Sequence, residues 1–143
     1  MSISVMLVDD EEGFILTLAK RLTVRRMKVT TATSGELALD QLRSAPVDVV
    51  VVDMKMPDMN GIEVTRWVKK EHPLTEVILL SGHANLEASA EGMQSGAFDY
   101  LLKPVSIDEL VYKIEDAHQN KALQEEKIER LRQFSAADSN ADS

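Results

Sequence analysis

Five polar residues stand where runs of β-prone residues end, and their types suit phosphoryl chemistry. Asp9 and Asp10 close the run from Ile3 to Val8, and Asp53 closes Val47-Asp48-Val49-Val50-Val51-Val52. Ser81 follows Glu76-Val77-Ile78-Leu79-Leu80, and Lys103 follows Phe98 to Leu102. Three carboxylates make a hard, oxygen-rich site suited to Mg²⁺, which takes few protein ligands and keeps water and phosphate. A lysine and a hydroxyl beside them supply positive charge and a donor for phosphoryl oxygens. A carboxylate can itself be the nucleophile and form an acyl phosphate. The chemistry that uses all five is metal-assisted phosphoryl transfer onto an aspartate. Taken singly, each has a plainer explanation: Asp53 ends a strand, Ser81 is an ordinary serine after one, and Lys103 is a surface charge. Acids in the first turn of a helix gain about 0.3–1 kcal/mol each from the macrodipole. That explains one or two acids better than the four of Asp9-Asp10-Glu11-Glu12. Two carboxylates about 4 Å apart repel by roughly 4 kcal/mol at an effective dielectric of 20, which a divalent cation would relieve.

The elements that must position these groups alternate along the chain. Four consecutive valines without polar alternation suit a strand covered on both faces, the centre of a parallel sheet. In such a sheet the ligand site lies at the carboxyl ends of the strands. Phe14, Ile15, Leu18, Ala19 and Leu22 fall at helical spacing up to about Arg26. A second strand covers Lys28 to Ala32. Ser34 can cap a helix to Ser44, and a third helix runs from Gly61 to His72, where Pro73 stops it. Asn85 can cap a fourth helix through Gln94, and Ser106 with Glu109 forms a capping box for the last. Five strands alternating with five helices predict an α/β fold, a parallel sheet with helices on both faces.

The last helix has a packed part, with Ile107, Leu110, Val111 and Ile114 in phase to about Ala117. Beyond it Leu123, Ile128 and Leu131 sit in the charged stretch Glu125-Glu126-Lys127-Ile128-Glu129-Arg130. That stretch predicts a solvated helix with i,i+4 pairs, or a weak coiled coil that makes a homodimer. The expected organisation is a domain over residues 1–120, a helical extension or linker over 121–134, and a disordered polar tail over 135–143.

The 143 residues suit one domain, and a hydrophobic fraction of 44% excludes a wholly disordered chain. A net charge of -8 argues against direct binding to nucleic acid or an anionic membrane. It favours a cation or a basic partner. With no cysteine there is no disulfide, thiolate zinc site or cysteine nucleophile. His72, His83 and His118 lack ligand spacing. No run is long and apolar enough for a membrane span, so the expected location is the cytoplasm.

These residues together resemble the receiver domain of a two-component response regulator over about Ile3 to Asn120. The motifs are Asp9-Asp10, Asp53 followed by Met56-Pro57 and Gly61, Ser81, and Tyr100-Leu101-Leu102-Lys103-Pro104. The resemblance implies a flavodoxin-like doubly wound five-stranded sheet of order 2-1-3-4-5. It implies phosphorylation of Asp53 by a histidine kinase or a histidine phosphotransfer protein. Asp10, Asp53 and the main-chain carbonyl of Lys55 would ligate Mg²⁺, with Asp9 acting through water. Lys103 would pair with the phosphoryl group, Ser81 would follow it by hydrogen bond, and Tyr100 would swing inward behind it. A cis Lys103-Pro104 bond is also implied. Lys55 and His83 occupy the variable positions beside the site and would tune the lifetime of the phosphoryl group, Lys55 by occupying the water's path or pairing with a phosphoryl oxygen, His83 as a steric lid or as a hydrogen-bond partner for water.

Other readings stay open. A Mg²⁺-dependent phosphohydrolase with an aspartate nucleophile usually carries a second Asp two residues on, where Lys55 stands. A flavin or nucleotide binder needs a Gly/Ser/Thr-rich loop after strand one, where four acids stand. A degenerate receiver serving as a binding module would normally have lost Asp53 or Lys103. No DNA-binding, kinase or cyclase segment is expected after Arg132, so output passes through protein contact or a linker to an unidentified partner.

Overall fold

Alternation along the central strand decides how the layers form. Val49 and Val51 point to one face of the sheet, Val50 and Val52 to the other, and all are buried. The computed structural model describes the backbone of residues 2–82 and 86–141, and the side chains of these apart from 86–88 and 137–141. Its elements run β1 (Ser4–Val8), α1 (Glu12–Val24), β2 (Lys28–Ala32), α2 (Gly35–Ser44), β3 (Val49–Asp53), α3 (Gly61–Glu71), β4 (Glu76–Ser81), α4 (Leu86–Gln94), β5 (Asp99–Leu102) and α5 (Ile107–Ala141). The five strands are parallel in the order β2-β1-β3-β4-β5, the flavodoxin-like doubly wound arrangement.

Each face carries its own core. On one, Val5, Leu7, Val49, Val51, Ile78 and Leu80 pack against Ile15, Leu18 and Leu22 of α1 and Leu110, Ile114 and Ala117 of α5. On the other, Met6, Val8, Val50, Val52, Val77 and Leu79 meet Ala38 and Leu42 of α2 and Val64 and Val68 of α3. A sheet dry on both faces has one wet rim at each end, and the strands all point to the same one.

Caps set where the helices begin. Ser34 Oγ accepts the Leu37 N–H at 3.1 Å, and Asn60 Oδ1 accepts the Glu63 N–H at 2.8 Å. Ser106 Oγ accepts the Glu109 N–H at 3.4 Å, one half of the expected capping box. The cap expected from Asn85 lies outside the described residues. The Lys103-Pro104 bond is cis.

Several boundaries differ from those read in the sequence. β3 starts at Val49, and just before it the Asp48 carboxylate accepts the N–H and the hydroxyl of Ser4, at 2.9 and 3.0 Å. α1 closes at Val24, where Arg25 and Arg26 donate back to Leu22 and Thr23. His72 is the C-cap of α3 rather than its last residue. The largest difference is at the end: α5 continues through residues 135–141, assigned above to a disordered tail. Propagating a helix costs far less than starting one, and Ala136, Ala137 and Ala141 are the best helix formers.

At the rim opposite the acids, polar contacts fix where α5 leaves the domain. Lys121 pairs with Asp48 at 3.0 Å, and Asn120 donates to the buried Glu76, which also binds Lys69 at 2.9 Å. Past this point Leu123, Leu131 and Phe134 are exposed. Among the described residues, no helix is long and apolar enough to cross a membrane.

Candidate functional site

β1 and β3 are neighbours, so their terminal acids meet. Carboxylate oxygens of Asp9, Asp10 and Asp53 all lie within 4.8 Å of one another. Asp9 is fully buried, Asp53 is 7% exposed, and Asp10 faces solvent. β5 brings Lys103 to the same end, where its Nζ sits 2.9 Å from Asp9 Oδ2 and 3.4 Å from Asp53 Oδ1. The Lys103 N–H donates to the Ser81 carbonyl at 2.8 Å, which holds the ends of β4 and β5 together. Asp9 also accepts the Glu11 N–H at 2.9 Å, so its buried carboxylate serves the turn into α1 as well.

The loop after β3 is fixed from both sides. Its Met54 N–H donates to the Leu80 carbonyl and its Met54 carbonyl accepts the Gly61 N–H, at 2.8 and 3.0 Å. A Cβ on Gly61 would fall 2.6 Å from the Asp53 carbonyl oxygen, so only glycine lets α3 start this close to the strand. Asp58 accepts the N–H groups of Gly35 and Glu36, at 3.3 and 3.0 Å, and so ties the loop to α2. Met54, Met56 and Met59 are partly buried against the α2–α3 core, which accounts for them as packing.

The cleft over this floor has a volume of about 630 Å³. Asp10, Asp53, Lys55, Ser81 and Lys103 line it, as does Glu91 from α4. Tyr100 is not among its lining: the ring is 37% exposed and borders a separate groove with Leu102 and Lys113. His83 lies outside the described residues. Sequence reasoning missed Glu91, which reaches the cleft only because α4 folds back over β4. It also missed Phe14, whose ring centroid is 4.6 Å from Lys103 Nζ. No local pattern marks either; Phe14 looked like one more apolar position of α1.

The electrostatics follow from burial and crowding. Burial and the Asp9 charge hold the Asp53 carboxyl above its ordinary value, and Lys103 offsets them only in part. Burial pulls the Lys103 ammonium down, but its hydrogen bond to Asp9 and the Asp53 and Asp9 charges outweigh that and raise it. Three carboxylates against one ammonium leave an excess of negative charge at the rim. Hard oxygens crowded to this spacing fit a small divalent cation. A buried carboxylate beside a lysine, open to a cleft, can also act as a nucleophile toward an electrophile whose oxygens Lys103 can meet.

The family model for the response regulator receiver domain matches residues 5–115. Over 111 residues the chain is 38% identical to the DNA-binding transcriptional regulator NtrC of Klebsiella pneumoniae, covering 78% of this chain and 24% of that protein. The chain thus spans about a quarter of the length of such curated relatives. A response regulator receiver domain protein from Clostridium thermocellum has a similar structure, with a TM-score of 0.81 and 34% identity, covering 85% of this chain and 98% of that one. NtrX from Brucella abortus aligns with a TM-score of 0.84 and 27% identity over 90% of this chain and 29% of its own.

An acid whose pKa rises on folding binds more protons in the native state than in the unfolded one, between its ordinary and raised values. Stability therefore falls as pH climbs through that window and stays lowered above it. With divalent cations chelated, Asp53→Asn is expected to raise the urea midpoint at pH 7. The advantage should vanish by about pH 3, below the ordinary carboxylate range. A lower midpoint for Asp53→Asn at pH 7 would contradict this balance.

Proposed function

The chain belongs to the response regulator receiver domain family, and on that premise we propose that Asp53 accepts a phosphoryl group which switches the domain between two conformations. The observation that carries this reading is Lys103 bridging Asp9 and Asp53 beside Asp10, at the carboxyl end of the central strand. The donor is a phosphohistidine on a histidine kinase or a phosphotransfer protein, and a chain without cysteine suits the cytoplasm in which such a donor would be met.

In the transfer, an Asp53 carboxylate oxygen forms a bond to phosphorus as the bond to the donor nitrogen breaks. Desolvation makes that oxygen more basic, and hence a better nucleophile, than an exposed carboxylate. Lys103 meets charge developing on the phosphoryl oxygens, and Ser81 supplies a hydroxyl at the same rim. The acid cluster fits Mg²⁺, which Asp10, Asp53 and the Lys55 main-chain carbonyl would hold, with Asp9 acting through water. When bound, the ion would neutralise oxygens that otherwise repel the incoming group. The domain is a phosphoacceptor that assists its own modification. Lys55 argues against a phosphohydrolase, which would need a second acid where its side chain stands.

The switch requires the phosphoryl group to favour one conformation. Turning a 1:99 mixture into 99:1 takes about 5.5 kcal/mol of differential interaction. Charge-assisted bonds to Lys103 and Ser81 supply part of it, and burial of the now half-exposed Tyr100 ring supplies more. Lys55, which lines the cleft, obstructs the approach of the hydrolytic water and, with His83, sets the lifetime. Output leaves through α5. Its apolar residues Leu123, Ile128, Leu131 and Phe134 are exposed along the extension, and we assign them to pairing with a second copy.

Incubation with a small phosphodonor and Mg²⁺, followed by peptide mapping, should place the label on Asp53. Asp53→Asn and a chelator should each abolish it, and full labelling of Asp53→Asn would refute the assignment. In the same assay Lys55→Asn should shorten the phosphoryl half-life severalfold, whereas an unchanged or longer half-life removes Lys55 from the path. Sedimentation of the full chain against one ending at Asn120 should give a dimer only with the extension; equal monomer masses would leave α5 as a linker.

A further inference from the structure

Lys103 is held from three directions, and only two of them are acids. Asp9 takes its ammonium at 2.9 Å and Asp53 at 3.4 Å, and the Phe14 ring lies with its centroid 4.6 Å away. That is within the roughly 6 Å over which a ring face attracts a cation. Phe14 sits in the first turn of α1, directly after the acidic turn, and is partly buried against the core cluster that includes residues of α1, β5 and α5. The ring is therefore fixed by the same core that positions β5 and α5. The Lys103 side chain is only 20% exposed.

The geometry points to Phe14 as a positioning residue for Lys103, holding the ammonium at the acid cluster through the face of its ring. The inference rests on the phosphoacceptor reading of Asp53. A lysine has four rotatable bonds, and an ammonium bound by acids alone would follow whichever carboxylate is free to take it. The acids change their charge balance when a cation or a phosphoryl group arrives, whereas the ring does not. Phe14 thus gives Lys103 one partner that is constant through the cycle. It keeps the ammonium close to Asp53 at the moment phosphoryl oxygens need it, with no reorganisation during transfer. Charge on the ring is not required; its quadrupole and its fixed place suffice. A packing role alone would need only apolar bulk, which leucine supplies nearly as well.

The test uses the full chain with Phe14→Leu and Phe14→Tyr. In the wild type the ε-methylene protons of Lys103 should show an upfield ring-current shift by NMR, lost in Phe14→Leu and kept in Phe14→Tyr. With a small phosphodonor and Mg²⁺, Phe14→Leu should label Asp53 about threefold to tenfold more slowly, and Phe14→Tyr within about twofold of wild type. Unshifted ε-methylene protons in the wild type overturn the inference. So does a wild-type rate in Phe14→Leu, or a loss in Phe14→Tyr as large as in Phe14→Leu. A wild-type chain that takes no label would instead refute the phosphoacceptor reading, and the ring-current shift would still decide whether Phe14 holds Lys103.

Discussion

One ammonium makes the end of the sheet tolerable. Asp9, Asp10 and Asp53 crowd within 4.8 Å where β1 and β3 run side by side, and two of the three are buried. Like charges at such spacing repel by several kcal/mol even at an effective dielectric of 20. Lys103 opposes that repulsion from β5, two strands away from β3, and can do so only because the sheet is parallel and its strands end together. The compensation is incomplete. Asp53 stays harder to ionise than an ordinary aspartate, and the rim keeps an excess of negative charge. A floor left in that condition favours a cation, and then a group whose oxygens both the cation and Lys103 can share.

The rest of the fold serves this arrangement by being dry and stiff. Valines on both faces of β3 lock its register between two cores, so Asp53 has no freedom along the strand. The following loop is held by Gly61, which admits the close approach of α3, and by Asp58, whose carboxylate takes two N–H groups of α2. The N–H bonds hold the Asp58 carboxyl below its ordinary value against slight burial, so the tie persists wherever that acid is ionised. On the far rim a second polar network sets the exit of α5. Lys121 binds Asp48 there, and Glu76 takes both Lys69 and Asn120.

Much of this was legible in the residues. A valine run ending in an acid gives the central strand and the end of the sheet where the acids gather, because a two-sided apolar strand has nowhere else to go. Asp9, Asp10, Asp53, Ser81 and Lys103 gather at one rim because each stands at a strand end, and parallel strands deliver their ends together. What stayed hidden depends on distances between elements. Phe14 carries the spacing of a core residue and gives no sign that β5 will aim a lysine at it. Glu91 reaches the cleft through the way α4 folds back over β4. Asp58 reads as a loop acid until α2 is seen to start beside it. The helical course of residues 135–141 was hidden for another reason: their polar composition argues for solvent exposure, and an exposed segment can still extend a helix already formed.

The central claim is that Lys103 partly neutralises an acid cluster built to take a divalent cation, and Mg²⁺ affinity measured by calorimetry tests it most directly. Replacing Lys103 with methionine removes a like charge from beside the ion while leaving every oxygen donor in place. The account predicts that Lys103→Met binds Mg²⁺ about tenfold more tightly than wild type, and that Asp10→Asn binds it at least about tenfold more weakly. Equal or weaker binding by Lys103→Met would contradict it.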